Sequence, residues 1–405
     1  MAVAFAVNRG ALPRCCPVNN RASQIEAEVA ASRALGQGAA LLGKFASPAI
    51  RESAFHDVDA NRHIKRRRKR QLACRAAGAS NAEKTVARSE DRIELGKTGL
   101  QVSPVGIGTL QWGDPGSGFG DSYDEETLKE VFDTAAEGGI SFFDTAEVYG
   151  YESIKKGQSS EQLVGRFTKS LPAGKPAPVV ATKFFTIPWT NLLVGGGFRF
   201  GRKSMIAALK ESLKRLGKDK VDLYQIHFPF PTFSNSTLMD GLKEVRDLGL
   251  ADAVGVSNYS LAQMEDAHSL LDKHGIPLAS NQVQYSLLSR APDKSGLLEK
   301  AKDLGVSVIA YQPLASGKLT QRQLERGEQG SELRPLLQLM SFIGAVNGGK
   351  SVTQVALNYL VCKGAIPIPG CKSVVQAKEH VGALGWRLDE NEVATIEEKL
   401  ASLSL

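Results

Sequence analysis

From residue 91 onward the chain alternates between two patterns of apolar residues. Short runs rich in β-branched and aromatic side chains occur at Val105–Thr109, Ile140–Phe143, Val179–Thr182, Val221–Ile226, Ala253–Val256, Ala279–Val283, Val306–Ala310 and Ile366–Ile368. Such runs, with little polar alternation, predict strands buried on both faces. Between them, apolar residues recur every three or four positions. That spacing predicts helices over Glu125–Ala136, Lys203–Leu216, Leu238–Leu248, Leu261–Lys273, Leu297–Leu304 and Val352–Val361, with a shorter one at Ser160–Thr168. Ahead of the first run, Arg92–Leu95 and Leu100–Val102 flank Gly96-Lys97-Thr98-Gly99, the pattern of a small hairpin.

Strand and helix in alternation over this length predict a closed (β/α)₈ barrel with an N-terminal hairpin. A doubly wound open sheet is the rival topology. It calls for a Gly-x-Gly-x-x-Gly turn after its first strand, and none follows Val105–Thr109. No repeat of solenoid length recurs. A barrel places its chemistry at the C-terminal ends of its strands, so those ends are where candidate residues are sought.

Several of those ends carry ionisable groups. The second run meets Asp144, with Tyr149 in the loop beyond; the third ends at Lys183; the fourth ends at His227. A buried Asp or Lys is costly alone, but a pair neutralises itself. Beside a phenol, the pair is expected to lower its pKa and make Tyr149 a general acid. Each residue alone has a plainer explanation, as a helix cap or a hydrogen-bonded structural group; their succession on adjacent strand ends is harder to explain that way. Later ends carry Ser257-Asn258, Gln282, Tyr311 and Gln312, which suit a flat, amide-bearing ring, although Ser-Asn also serves ordinary turns. Pro369-Gly370-Cys371-Lys372-Ser373 opens a helical segment over Val374–Ala383, a cationic helix entry suited to a phosphate.

Charge separates the chain into two parts. The net charge of +7 arises from residues 1–80, where 14 Lys and Arg face 5 Asp and Glu; residues 81–405 carry 36 against 38. The body therefore gives no electrostatic footprint for nucleic acid. Residues 1–80 are rich in Ala, Arg and Ser and poor in acid, the composition of an organelle transit peptide; chloroplast import is favoured over mitochondrial import. The basic run Lys65–Arg70 also fits a nuclear-localisation patch, and a disordered tail is the remaining reading. The body, 91–405, reads as one domain. No apolar stretch is long enough to insert into a membrane. Only Cys362 and Cys371 lie in the body, without metal-ligand spacing, so no metal is expected.

Taken together, Phe142-Phe-Asp-Thr-Ala-Glu-Val-Tyr149-Gly, Ala181-Thr-Lys183-Phe, Asp222-Leu-Tyr-Gln-Ile-His227, Gly255-Val-Ser-Asn-Tyr259, Ser280-Asn-Gln-Val-Gln-Tyr285 and Ile366–Ser373 resemble the aldo-keto reductase superfamily over residues 91–402. Trp112-Gly-Asp, Leu278-Ala-Ser-Asn-Gln and Leu384-Gly-Trp386 resemble its plastid-targeted plant and algal oxidoreductases. The resemblance implies reduction of aldehyde or ketone carbonyls by hydride from NADPH. It implies a tetrad of Asp144, Tyr149, Lys183 and His227, with Tyr149 as proton donor and His227 orienting the carbonyl; histidine at this place favours C=O over C=C reduction. Ser257, Asn258 and Gln282 then hold the carboxamide, Tyr311 stacks on the ring, and Thr109, Gln312, Pro313, Leu314, Ser316 and Lys318 line the cofactor. Lys372 meets the 2′-phosphate, with Gly370, Gln376, Glu379 and His380 around the adenosine, although relatives place Asn at the position of His380. Past Thr320, the Pro-rich segment of many relatives is missing. Trp112 and Trp189 are candidates for the substrate wall, or for packing. The same resemblance admits a cofactor-binding regulator like the potassium-channel β subunits, with little turnover. Redox control through Cys371 is a further idea. The substrate and oligomeric state are not legible.

Overall fold

A computed structural model describes residues 91–403, apart from 191–193, 195–197, 231 and 328–331. Everything read into residues 1–80 lies outside the described residues. Among the described residues, ten strands follow in chain order: β1 (Ile93–Glu94), β2 (Gln101–Val102), β3 (Ile107–Gly108), β4 (Phe142–Asp144), β5 (Val179–Phe184), β6 (Val221–Ile226), β7 (Ala251–Ser257), β8 (Leu278–Gln284), β9 (Ser307–Tyr311) and β10 (Ala365–Pro367). β1 and β2 pair antiparallel as the expected hairpin. β3 to β10 form one parallel sheet in sequence order. The sheet closes on itself: Gly106 N–H donates to Pro367 O (2.9 Å), Gly108 N–H donates to Pro369 O (3.0 Å), and Gly108 bridges Gly370. The eight strands and the barrel are as the pattern predicts.

Two cores follow from the closure. Outside the sheet, the apolar faces of the helices pack against outward-facing strand residues such as Val180, Tyr224 and Val254. Inside, Phe142, Ala181, Leu223, Ala253, Ala279, Ile309 and Ile366 fill the lower barrel, and Leu95 and Val102 of the hairpin join them as a plug. Side chains alternate faces along a strand, so two residues on from this apolar layer the same inward face carries Asp144, Lys183 and Gln225. A polar layer thus sits on an apolar one inside the same tube.

Helices α1 (Glu125–Glu137), α2 (Ser160–Lys169), α3 (Gly201–Leu216), α4 (Asn235–Asp247), α5 (Leu261–Asp272), α6 (Ala291–Lys294), α7 (Leu297–Leu304), α8 (Gln321–Arg326), α9 (Arg334–Val346), α10 (Val352–Cys362), α11 (Val374–Val381) and α12 (Glu390–Ala401) alternate with or follow the strands. Four of them, α6, α8, α9 and α12, are absent from the pattern reading. Pro335 stands in the first turn of α9, where its missing N–H costs nothing. α12 begins with a capping box formed by Asp389 and Glu392, a legible start signal on a helix that buries little besides Ile396. Among the described residues, no helix is long and apolar enough to cross a membrane.

The seam between β3 and β10 depends on glycine. A Cβ at Gly106 would lie 2.7 Å from the Phe142 ring and 3.0 Å from both Phe142 O and Ile368 Cγ2. Gly106→Val is therefore expected to overpack the seam and destabilise the barrel by about 1–3 kcal/mol. Chemical denaturation reads this directly, and an unchanged midpoint would show that the seam tolerates a side chain.

Candidate active site

Lys183 is the centre of the polar layer. It is 0 % exposed, and its Nζ donates to Asp144 Oδ2 (2.5 Å), Thr145 O (2.9 Å) and Tyr149 Oη (3.2 Å). The ladder explains the reach: Asp144 pairs with Ala181, so Lys183 lies two residues further along the same face. The other carboxylate oxygen, Oδ1, accepts from Gln282 Nε2 (2.8 Å) and Gln225 Nε2 (3.3 Å). Gln225 Oε1 in turn accepts from Ser280 (3.2 Å), and Gly255 leaves the room they need, since a Cβ there would lie 2.3 Å from Ser280 Oγ. The charge pair is thus buried with its lone pairs and protons satisfied, the condition under which such a pair is tolerated.

Tyr149 approaches from the loop after β4. Thr145 and Thr109 both hydrogen-bond Ser160 at the start of α2, at 2.8 and 2.7 Å, which ties that loop to its neighbours. Gly150 takes a positive φ of 65°, and a Cβ there would meet Trp112 O at 2.7 Å. Burial raises the Tyr149 hydroxyl pKa; the Lys183 ammonium opposes this without overcoming it, and Asp144 adds to the rise. The expectation that the ion pair would depress this pKa is therefore corrected: in the dry layer the cost of a phenolate outweighs the nearby cation, and Tyr149 stays protonated. Burial by itself would lower the pKa of Lys183, but the Asp144 carboxylate, with the hydrogen bonds to Asp144 and the Tyr149 hydroxyl, reverses the sign, and the amine stays charged.

His227 follows directly on β6, its N–H donating to Phe184 O (2.9 Å). Its ring meets Tyr149 edge-on (centroids 5.8 Å apart) and Phe185 edge-on (5.2 Å), and stacks on Phe228 (4.7 Å). Burial, with Lys183 adding to it, holds its pKa well below the usual histidine range, so the imidazole is neutral. Its Nδ1 is buried without a hydrogen-bond partner.

The amides and hydroxyls expected around a cofactor converge on the ends of β7, β8 and β9. Ser257 Oγ donates to Gln282 O (2.8 Å), Asn258 Nδ2 donates to His227 O (3.0 Å) and Ser257 Oγ (3.1 Å), and Tyr311 donates its hydroxyl to Asn258 Oδ1 (2.9 Å). Gln312 accepts from Gln284 (2.9 Å). Among the described residues, the non-glycine positions with positive φ are Asn258, Gln312, Ala315 and Ser316, all in these loops. Such strain persists where the surrounding structure enforces it, commonly at ligand-binding positions. Pro313 is buried and Leu314 half-buried, whereas Ser316 and Lys318 are exposed. Beyond β10, Gly370 is exposed, Lys372 Nζ reaches Ser117 O (3.2 Å) over the Tyr123 ring, Gln376 accepts from the Lys372 N–H (2.9 Å), and Glu379 accepts from Ser351 (2.8 Å).

Tertiary packing seals three of the candidates: it decides Trp112 for packing and removes the contacts expected of Thr109 and His380. Trp112 is 0 % exposed, edge-on to Phe167 and tilted against Phe143, with Nε1 donating to Cys371 O (2.8 Å); it is a packing residue and no substrate wall. Thr109 is fully buried, its hydroxyl committed to Asp144 O and Ser160. His380 is 1 % exposed with a pKa lowered to about 3 by burial, and presents no face to an adenine. Trp189 is 56 % exposed and remains available. Burial pushes the Cys371 thiol up to about 12, which leaves no reactive thiolate for a redox role. Gln225, Phe185 and Phe228 escaped the sequence reading. Gln225 was detectable as a polar residue at an inward position of an apolar strand; the phenylalanines were indistinguishable from core.

A closed barrel with a buried, charge-neutral Lys–Asp pair, a protonated tyrosine and a neutral histidine at its C-terminal rim defines an oxidoreductase of the carbonyl-reducing kind. The family profile "Aldo/keto reductase family" matches residues 104–401, and the chain belongs to that family. It is 38 % identical over 324 residues to the chloroplastic pyridoxal reductase of Arabidopsis thaliana, covering 76 % of this chain and 85 % of that one. It is 32 % identical to the aldo-keto reductase YhdN of Bacillus subtilis, covering 76 % and 94 %. Among solved structures, a thermostable aldo-keto reductase bound to the inhibitor epalrestat matches with a TM-score of 0.60 at 28 % identity, covering 76 % of this chain and 99 % of that one.

The ion pair yields a stability test. Asp144→Asn or Lys183→Met alone strands a buried charge and is expected to cost about 3–5 kcal/mol. The double variant is expected to recover most of that loss while remaining inactive. Urea denaturation of the four proteins checks this, and additive losses would show that the two groups do not depend on each other.

Proposed function

We propose that the protein is an NADPH-dependent reductase of aldehydes, with aromatic aldehydes of the pyridoxal class as its substrates. The observation that carries the reading is Lys183 Nζ held between Asp144 and Tyr149 Oη. The residues around the rim suit a nicotinamide dinucleotide. The mutually bonded Ser257, Asn258 and Gln282 offer a polar edge for a carboxamide, and Tyr311 offers a ring face. The strained turn from Gln312 to Lys318, with Pro313, Leu314 and Ser316, offers a seat for a pyrophosphate. Lys372, with Gly370, Gln376 and Glu379 beside it, suits a 2′-phosphate. When bound, the reduced cofactor supplies a hydride for the carbonyl carbon.

The chain's own residues do the rest. Tyr149, kept protonated by burial, donates its proton to the carbonyl oxygen, so the carbonyl gains one hydride and one proton and becomes an alcohol. The Lys183 ammonium beside the hydroxyl stabilises the phenolate left behind, and Asp144 holds that lysine charged. His227, neutral, positions the oxygen without competing as an acid. The aromatic rings of Phe185 and Phe228 around His227 favour a flat ring over a small polar aldehyde. Similarity to a chloroplastic pyridoxal reductase supports both the substrate class and a plastid address, for which residues 1–80 serve as transit peptide and 91–405 as the enzyme.

The two pKa directions fix the pH profile. The reductive rate needs protonated Tyr149, whose raised pKa keeps that form through neutrality, and neutral His227, whose lowered pKa does the same. At saturating NADPH, kcat for pyridoxal is expected to be flat from about pH 6 to 9 and to fall only on the alkaline side, beyond the ordinary phenol value of about 10. A limb near pH 6.5 would contradict the neutral histidine. Tyr149→Phe is expected to lower turnover by about 10²–10⁴-fold with cofactor binding retained. Tight NADPH binding with no turnover above that variant would instead favour a regulatory subunit. Lys372→Met is expected to weaken NADPH and leave NADH unchanged, as measured by fluorescence titration.

A further inference from the structure

A second ion pair lies just outside the reacting groups and is as dry as the first. Glu147 and Arg199 are each 1 % exposed, and the guanidinium grips the carboxylate with two bonds, Nη1 to Oε1 (2.5 Å) and Nη2 to Oε2 (2.8 Å). The pair clamps the backbone of one residue, holding its N–H and its C=O. Phe185 N–H donates to Glu147 Oε1 (2.5 Å), and Arg199 Nη1 donates to Phe185 O (2.9 Å). Phe185 is the first residue past the end of β5, where the strand ladder no longer supplies partners, and the ion pair supplies them instead. Arg199 also lies 4.9 Å over the Phe184 ring, and its N–H donates to Pro188 O (3.2 Å), while its Nε is buried with no partner.

Both ends of this clamp lead to the reacting groups. Glu147 stands two residues before Tyr149 in a loop that Lys183 grips at Thr145 O. Phe185 packs edge-on against His227. Charge pairs buried this deeply are often replaceable by apolar residues without loss of stability, so stability is not a sufficient reason for this geometry. We propose that Arg199 is a positioning residue: its pair with Glu147 fixes the Tyr149 loop to the Phe185 segment, and through Phe185 sets the distance between the Tyr149 hydroxyl and the His227 ring. The effect on kcat rests on the carbonyl-reductase reading; the effect on the clamp itself does not.

Lysine keeps the charge but loses the fork. Arg199→Lys is expected to lower kcat for an aromatic aldehyde by about 10- to 100-fold, the scale at which a displacement near one ångström acts, while the Kd for NADPH changes less than about twofold. Because this variant risks misfolding, Glu147→Gln/Arg199→Met is measured alongside it. It leaves no buried charge unpaired and keeps an acceptor for Phe185 N–H, so its Tm is expected near wild type while kcat stays depressed. Recovery of kcat together with Tm would overturn the proposal, as would an unchanged kcat in Arg199→Lys. Wild-type turnover of the aldehyde is the control for the underlying reading. Should it be absent, hydrogen exchange decides the clamp: the amide of Phe185 is expected to exchange at least about tenfold faster in Arg199→Lys, and an unchanged rate would overturn it.

Discussion

The buried contact between Lys183 and Asp144 is the constraint around which the upper barrel is built. An ammonium without water requires a carboxylate, and that carboxylate requires donors for its second oxygen, which Gln282 and Gln225 supply. These partners come from β4, β5, β6 and β8, so the pair can be satisfied only when the barrel is closed and in register. The glycine at 255 and the hydroxyl of Ser280 belong to the same account, since they make room for the amide of Gln225 and bond it. Tyr149 then inherits its environment: one cation in contact, little water, and a hydroxyl that stays protonated.

Stability and chemistry are separated along the barrel axis. The lower interior is apolar and plugged by Leu95 and Val102 of the hairpin; the layer above it is polar and reactive. The period of two along each strand links them: Asp144, Lys183 and Gln225 stand directly above the inward Phe142, Ala181 and Leu223. The loops beyond carry the strained backbone at Asn258, Gln312, Ala315 and Ser316, held by neighbours such as the Tyr311 hydroxyl and the Gln284 amide. The family to which the chain belongs accounts for this division as an oxidoreductase scaffold, with the loops left to set what binds.

Asp144, Lys183 and His227 were legible because an ionisable residue ending an apolar strand is conspicuous, and Tyr149 because it follows one of them closely. The cofactor contacts expected of Thr109 and His380, and the choice between wall and packing at Trp112, turned on one thing. Each lies beside a cofactor-like motif in sequence, but whether it faces a cleft or a neighbouring side chain depends on what packs over it: Phe143 and Phe167 over Trp112, Ser160 beside Thr109, the helical layer around His380. The direction of the Tyr149 pKa was misjudged similarly, since sequence names the charges nearby but not how much water is left. Glu147 and Arg199, 52 positions apart, gave no local signal at all.

What the sequence determined by itself is the order and type of the strands, the hairpin, and the set of chemical groups delivered to the strand ends, because periodicity and strand termination are local properties. What only the tertiary structure decided is which of those groups meet, which are sealed, and what their protonation states are. Burial and electrostatic pairing are sums over residues distant in the chain, and they acquire values only when β10 closes on β3.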